Sequence, residues 1–345
     1  MSTLVPELGL DGDRNRPSSG SDAVDQVQRR VIVERPARED LVLFGVTKAA
    51  AAFALILMAA IGAFLLIKAW PALSQAGFSF LTETNWLPDV GEFGVASLLS
   101  GTVTIAGIAM LFAIPVSFCS ALFITEYAPR RVRRALISLV DLMAAVPSIV
   151  YGLWGFFFLQ PLLIGVSAWL STYLGPVLPF LQVEDPDTPS SFTSSAFIAG
   201  AVVSLMVVPT ATTVMREVFS QTPIAEREAA YALGATRWSM VRNVVIPFGR
   251  SGVVAGSMLG LGRALGETIA VYLIISPIFE YTTHPLQSGS NTIAALIASR
   301  ASESSEFAMA ALLGAGLVLF ISTLIVNSIA SVVVARSRSG LLTEI

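Results

Sequence analysis

Arg263 stands inside an apolar run, "SGVVAGSMLGLGRALGETIAVYLIISP" (251–277), with Glu267 four residues further on. A membrane span over Val253–Ile278 places Arg263 about ten residues in, roughly 15 Å deep and close to the bilayer midplane. An uncompensated guanidinium at that depth costs at least about 3 kcal/mol, so it needs a partner and a polar interior. Two chemistries fit. The planar fork of Arg263 can hold two oxygens of a passing oxyanion while Glu267 sets its position and moderates its field. Alternatively, Arg263 and Glu267, one helical turn apart, form a structural pair or an anchor to a neighbouring subunit.

A second stretch is mechanical. "EREAAYALGATRW" (226–238) is charge-edged, rich in alanine and broken by Gly234. Thr222 reads as an N-cap, with Pro223 at the first helical position. Gly234 suits a left-handed stop, Thr236 a second N-cap, and Pro247 the end of the second helix. The product is a short helix–turn–helix with small residues at Ala225, Ala229 and Ala232. On composition alone, a helix lying on the membrane surface is the favoured reading, because amphipathic interfacial helices are common.

The elements that must position these residues follow from composition. The chain has 345 residues, 54% hydrophobic and 13% charged. A soluble domain of this size carries about a quarter charged residues, so this is an all-α polytopic membrane protein. Six spans are expected: Val46–Ile67, Leu98–Ile124, Ala135–Leu163, Ala196–Met215, Val253–Ile278 and Ala308–Val334. Leu170–Leu181 is apolar but short and reads as an interfacial segment. Residues 1–40 read as a disordered cytoplasmic tail without a cleavable signal, and 336–345 as a second cytoplasmic tail. Residues 41–94 hold the first span and an outer loop, and 95–335 the remaining five spans.

Of the 21 Lys and Arg residues, all but Lys68, Arg263 and Arg300 fall on one side of this arrangement. Basic loops stay in the cytoplasm, which puts both termini and the 217–250 loop there. With one His (His284) and one Cys (Cys119), there is no His/Cys metal cluster and no internal disulfide framework. "VEDPDTPSS" (183–191) reads as a solvated outer loop, not a metal site, and Cys119 as a small packing residue. Gly252, Gly256 and Gly260 recur at four-residue steps, a close-packing helix face, and Gly262 and Gly266 add a second such pair. Pro115, Pro147 and Pro209 lie within spans and free the carbonyls of Leu111, Met143 and Leu205. Asp141 is expected near the cytoplasmic mouth or paired with Arg133 or Arg134.

"EAAYALGATRWSMVRNVVIP" (228–247) resembles the cytoplasmic loop of ABC importer permeases, with Glu228, Ala229, Ala230, Gly234, Val244, Ile246 and Pro247 at the matching places. "GRALGETIAV" (262–271) and "TEYAPRRVRRALISLVDLMAAVPSIVYGLWGFF" (125–157) are similar to segments of the PstC-type permeases of phosphate importers. The resemblance implies a type I importer permease of six transmembrane helices whose first loop helix docks on an ATPase. It implies a heterodimer with a PstA-type permease, two PstB-type ATPase subunits and an extracytoplasmic phosphate-binding protein. It also carries a translocation role onto Arg263 and Glu267. No phosphate-binding glycine loop occurs in the chain, so ATP and Mg belong to the partner ATPase and this chain carries no cofactor. The rivals are a sulfate or molybdate permease and an anion transporter without an ATPase.

Overall fold

The computed structural model describes residues 38–276, 278–279 and 283–338. The expected tails lie outside these residues except for short stretches that continue the first and last helices. The chain divides into two units, Met1–Leu57 and Met58–Ile345. Of the first, the described part is the opening half of one helix.

Among the described residues, six helices are long and apolar enough to cross a membrane. The first, α1, spans Arg38–Ala76. A two-stranded hairpin follows, β1 (Trp86–Leu87) paired antiparallel with β2 (Glu92–Phe93). Then come α2 (Ala96–Tyr127), α3 (Arg130–Ala145), α4 (Ser148–Leu174) and α5 (Ala196–Ser220). The loop helix α6 (Ile224–Ala232) leads into α7 (Arg237–Leu265), and two short helices follow, α8 (Ile269–Ile274) and α9 (Ile293–Arg300). The last helix, α10, covers Glu306–Arg338.

The third and fifth spans differ from expectation. Residues 135–145 belong to α3, a separate amphipathic helix with no buried residue. Val146 is extended (ψ 130°) and Pro147 precedes the next helix. The ring of a proline disfavours helical backbone in the residue before it, so the apolar run breaks there. The span proper is Ser148–Leu174, which absorbs the start of the segment taken as interfacial. The Met143 carbonyl is taken up by the Tyr151 hydroxyl, which donates to it at 2.8 Å. Pro115 and Pro209, by contrast, lie inside unbroken helices. The fifth span stops at Leu265 instead of Ile278, and Gly266–Thr268 separate it from α8.

The core is made where α2, α5 and α7 meet. Ile105, Ala109 and Ala113 of α2 pack with Val202, Val207 and Ala211 of α5 and Val241 and Val245 of α7. The glycine face of α7 is used within the chain: Gly252 lies on Val218 and Gly256 on Met215. At Gly260, an added methyl would sit 2.6 Å from Val207 Cγ1. Side chains are absent so that two helix backbones can close on each other. Gly262 and Gly266 meet only loose neighbours, so the second small-residue pair is no packing face in this chain. Cys119 is exposed on α2, outside this core.

A smaller core gathers Phe80, Trp86, Phe93 and Leu98 with Ile293, Leu296 and Leu312. Its rings meet edge to face, Phe93 on Phe307 at 5.5 Å and on Phe80 at 5.9 Å. It sits at the far end of the bundle from α6.

Candidate functional site

Arg263 lies in the last turn of α7, and its Nη1 donates to Thr210 Oγ1 of α5 at 3.3 Å. Tyr151 of α4 is within electrostatic reach of the same guanidinium. Gly262, its neighbour, faces Asn327 of α10: an added methyl would lie 3.7 Å from the amide oxygen. Three other spans thus bring a hydroxyl or an amide toward the end of α7. Thr210, Tyr151 and Asn327 have no local signature that marks them; only the packing around the end of α7 does.

Glu267 is buried but is not the ion-pair partner of Arg263. The helix has ended at Leu265, and Glu267 Oε1 accepts the Ala270 N–H at 3.2 Å. That oxygen serves one of the open donors at the start of α8. The i,i+4 geometry assumed from sequence needs a continuous helix, and Gly266 interrupts it. The structure therefore brings Arg263 to Thr210, and gives Glu267 the task of holding the break.

The loop helix–turn–helix forms as its caps dictate. Gly234 has φ +83°, and the Thr236 hydroxyl accepts the Ser239 N–H at 3.2 Å. Thr222 behaves otherwise: its hydroxyl donates to the Phe219 carbonyl at 2.9 Å and closes the end of α5 instead of opening α6. Pro247 does not end the second helix, which runs on to Leu265. A wide turn over Val241–Val245 lies just before it. Two other wide turns, Phe123–Tyr127 and Gly155–Leu159, lie just before Pro129 and Pro161. Before Pro247 and Pro161, a residue added to the turn removes the need for the N–H that proline lacks, whereas Pro129 follows a helix that has already ended at Tyr127. Of the motif residues, Glu228, Ala229, Gly234 and Pro247 are exposed, while Ala230 and Ile246 pack against the core and Val244 is half-buried. Ile224, Tyr231 and Leu233 stand exposed on and beside α6, which buries none of its residues.

One anchor of this loop escaped the sequence reading. Glu126, at the end of α2, is 4% exposed at its side chain and pairs with Arg227 of α6 at 3.0 Å. Arg227 Nη2 also donates to the Phe219 carbonyl of α5 at 2.8 Å. Arg237 donates to the Glu126 carbonyl and lies over the Tyr127 ring, 5.0 Å from its centre. Two arginines of the loop are thereby tied to the ends of two membrane helices. Asp141, in turn, pairs with Arg216 of α5 at 3.6 Å and not with Arg133 or Arg134. The latter precede it on its own helix, whereas α5 packs across from it.

The membrane bundle thus carries one capped helix, exposed and tied to two spans through buried charge. A bundle of spans with such a loop helix fits a permease subunit. The comparisons give it a family. The profile of the binding-protein-dependent transport system inner membrane component family matches residues 113–339. The "phosphate transport system permease protein PstC 2" of Mycobacterium bovis is 42% identical over 311 residues, 89% of this chain and 95% of that protein. The PstC protein of Xylella fastidiosa is 40% identical over 303 residues, 88% of this chain and 92% of that one. The chain belongs to this family of ABC importer permeases, among its PstC-type members. A solved structure, a bacterial alginate ABC transporter in complex with an alginate pentasaccharide-bound periplasmic protein, aligns with a TM-score of 0.54. It is 18% identical, covers 85% of this chain and 93% of its own, and shares the fold.

Proposed function

We propose that this chain forms half of the translocation pathway of an ATP-driven inorganic phosphate importer, and that Arg263 is the residue that meets the anion. The kinship with PstC permeases supports the substrate class. The observation that carries the residue assignment is the setting of Arg263: a guanidinium hydrogen-bonded to the Thr210 hydroxyl, with Glu267, its expected ion-pair partner, engaged at the start of α8. Such a group offers donors to tetrahedral oxygens, and the Thr210 hydroxyl, which accepts from it, has a hydrogen to add.

In this reading the other half is a PstA-type permease, and two PstB-type ATPases sit under the loops that hold α6. A phosphate-binding protein docks at the end that carries the β-hairpin. Both termini and the 222–247 loop face the cytoplasm. Nucleotide-driven closure of the ATPase pair moves α6, and the Glu126 and Phe219 attachments pass that movement to α2 and α5. The chain reshapes a pathway; hydrolysis belongs to the ATPase.

The test of the substrate assignment is uptake of labelled phosphate in a host lacking its own permease and supplied with this chain and the partner subunits. The expected result is uptake that unlabelled phosphate dilutes and that sulfate and molybdate leave unchanged. Uptake abolished by sulfate or molybdate would overturn it.

A further inference from the structure

Below Arg263, α5 carries Thr210, Thr213 and Arg216 at three-residue steps, a row about 9 Å long at the helical rise. Thr210 accepts from Arg263. Thr213 Oγ1 lies 3.3 Å from Asp141 Oδ1, with the Pro209 carbonyl at 3.1 Å as its other acceptor. Arg216 Nη2 lies 3.6 Å from the same Asp141 oxygen. One line of donors therefore runs from the intramembrane arginine toward the loop end of α5 and finishes at a second arginine.

The lower end is unevenly matched. The Arg216 side chain is 15% exposed, and its Nε is buried without a hydrogen-bond partner. Among the described residues its one carboxylate contact is at long range, and that carboxylate is half exposed on α3. A mostly buried guanidinium ordinarily fills its donors. This one holds a loose partner that solvent competes for, and leaves a donor over.

We propose that Arg216, Thr213 and Asp141 form a second station for the translocating oxyanion, on the exit side of Arg263, with Asp141 as the built-in competitor that clears it. Phosphate leaving Arg263 meets the hydroxyl of Thr213 and the fork of Arg216. Asp141 then reclaims Arg216 and expels the anion, so the exit does not become a trap. No bond is made or broken. The proposal rests on the reading of Arg263 as the anion-meeting residue and adds a site that phosphate reaches from the cytoplasmic side.

The experiment uses the full complex in proteoliposomes with the ATPase outward and with binding protein and labelled phosphate enclosed. Unlabelled inorganic phosphate is added outside at constant ionic strength, and the rate of labelled release is followed. In wild type, outside phosphate slows release. Arg216→Gln raises the half-inhibiting concentration about tenfold, the loss of one charge-assisted contact, and Asp141→Asn lowers it several-fold. Inhibition through the ATPase's own product is common to all variants, so the difference between them reports the station.

The pair Asp141→Leu with Arg216→Met replaces the α3–α5 tie by apolar packing, and it behaves like Arg216→Gln. Half-inhibition unchanged in Arg216→Gln or in this double variant, or a wild type that outside phosphate does not slow, overturns the proposal. Arg263→Gln with full transport would overturn the earlier reading instead, and is scored separately.

Discussion

Glu126→Gln tests how the loop is held. In the native chain the Arg227 guanidinium, 22% exposed at its side chain, faces a carboxylate that is 4% exposed. The substitution keeps shape and volume but removes the negative charge. Breaking a buried ion pair by neutralising one partner costs about 3–5 kcal/mol. Arg227 keeps some solvent and its bond to the Phe219 carbonyl, which brings the expected cost down to about 2–3 kcal/mol. At about 1.4 kcal/mol per tenfold, the detached state of α6 becomes roughly 30–150 times more populated.

Hydrogen–deuterium exchange on the purified complex without nucleotide reads that change directly. Amides of 224–240 that exchange slowly should speed up by about that factor, while those of α5 within the membrane stay as they were. Replacing both partners, Glu126→Leu with Arg227→Met, removes the stranded charge and should bring exchange back toward wild type, short of it by the lost bond to the Phe219 carbonyl. Unchanged exchange over 224–240 in Glu126→Gln would refute the claim that this pair anchors the loop.

Three further outcomes follow from the packing. Gly260→Leu forces a side chain into Val207 and should cost about 1–3 kcal/mol, seen as a lower melting temperature of the detergent-purified complex. Gly234→Val asks a β-branched residue to adopt φ +83° with nothing crowding it; the cost should be about 1–2 kcal/mol in backbone strain alone. Co-purification of the ATPase should fall accordingly, with Gly234→Asn milder because asparagine tolerates that region. Tyr151→Phe leaves the Met143 carbonyl with only the longer bond from the Val146 N–H and should cost about 1 kcal/mol, read as faster exchange at the α3–α4 junction.

What could be read from sequence was what local chemistry decides. The loop turn was legible because Gly234 and Thr236 act on their own neighbours, and the glycine face of α7 because its period is visible. Thr222 was misread because a hydroxyl at a junction serves either helix, and only the packing decides that it donates back to Phe219. The third span was misplaced because "ALISLVDLMAAVPSIVYG" is mostly apolar on both sides of Pro147, and its break depends on one backbone torsion before that proline. The Arg263–Glu267 pairing failed for a similar reason: Gly266 ends a helix whose apolar composition continues. Glu126 with Arg227, and Asp141 with Arg216, join residues far apart in the chain, and no spacing rule reaches that distance.

The most direct measurement is phosphate moved per ATP hydrolysed by the reconstituted complex, wild type against Arg263→Gln, at matched assembly. Arg263→Gln should keep its binding-protein-stimulated ATPase while phosphate transport falls at least tenfold, in keeping with about 1.5–3 kcal/mol for a hydrogen bond to a charged group. An unchanged ratio of phosphate to ATP would contradict the account and leave Arg263 a structural residue.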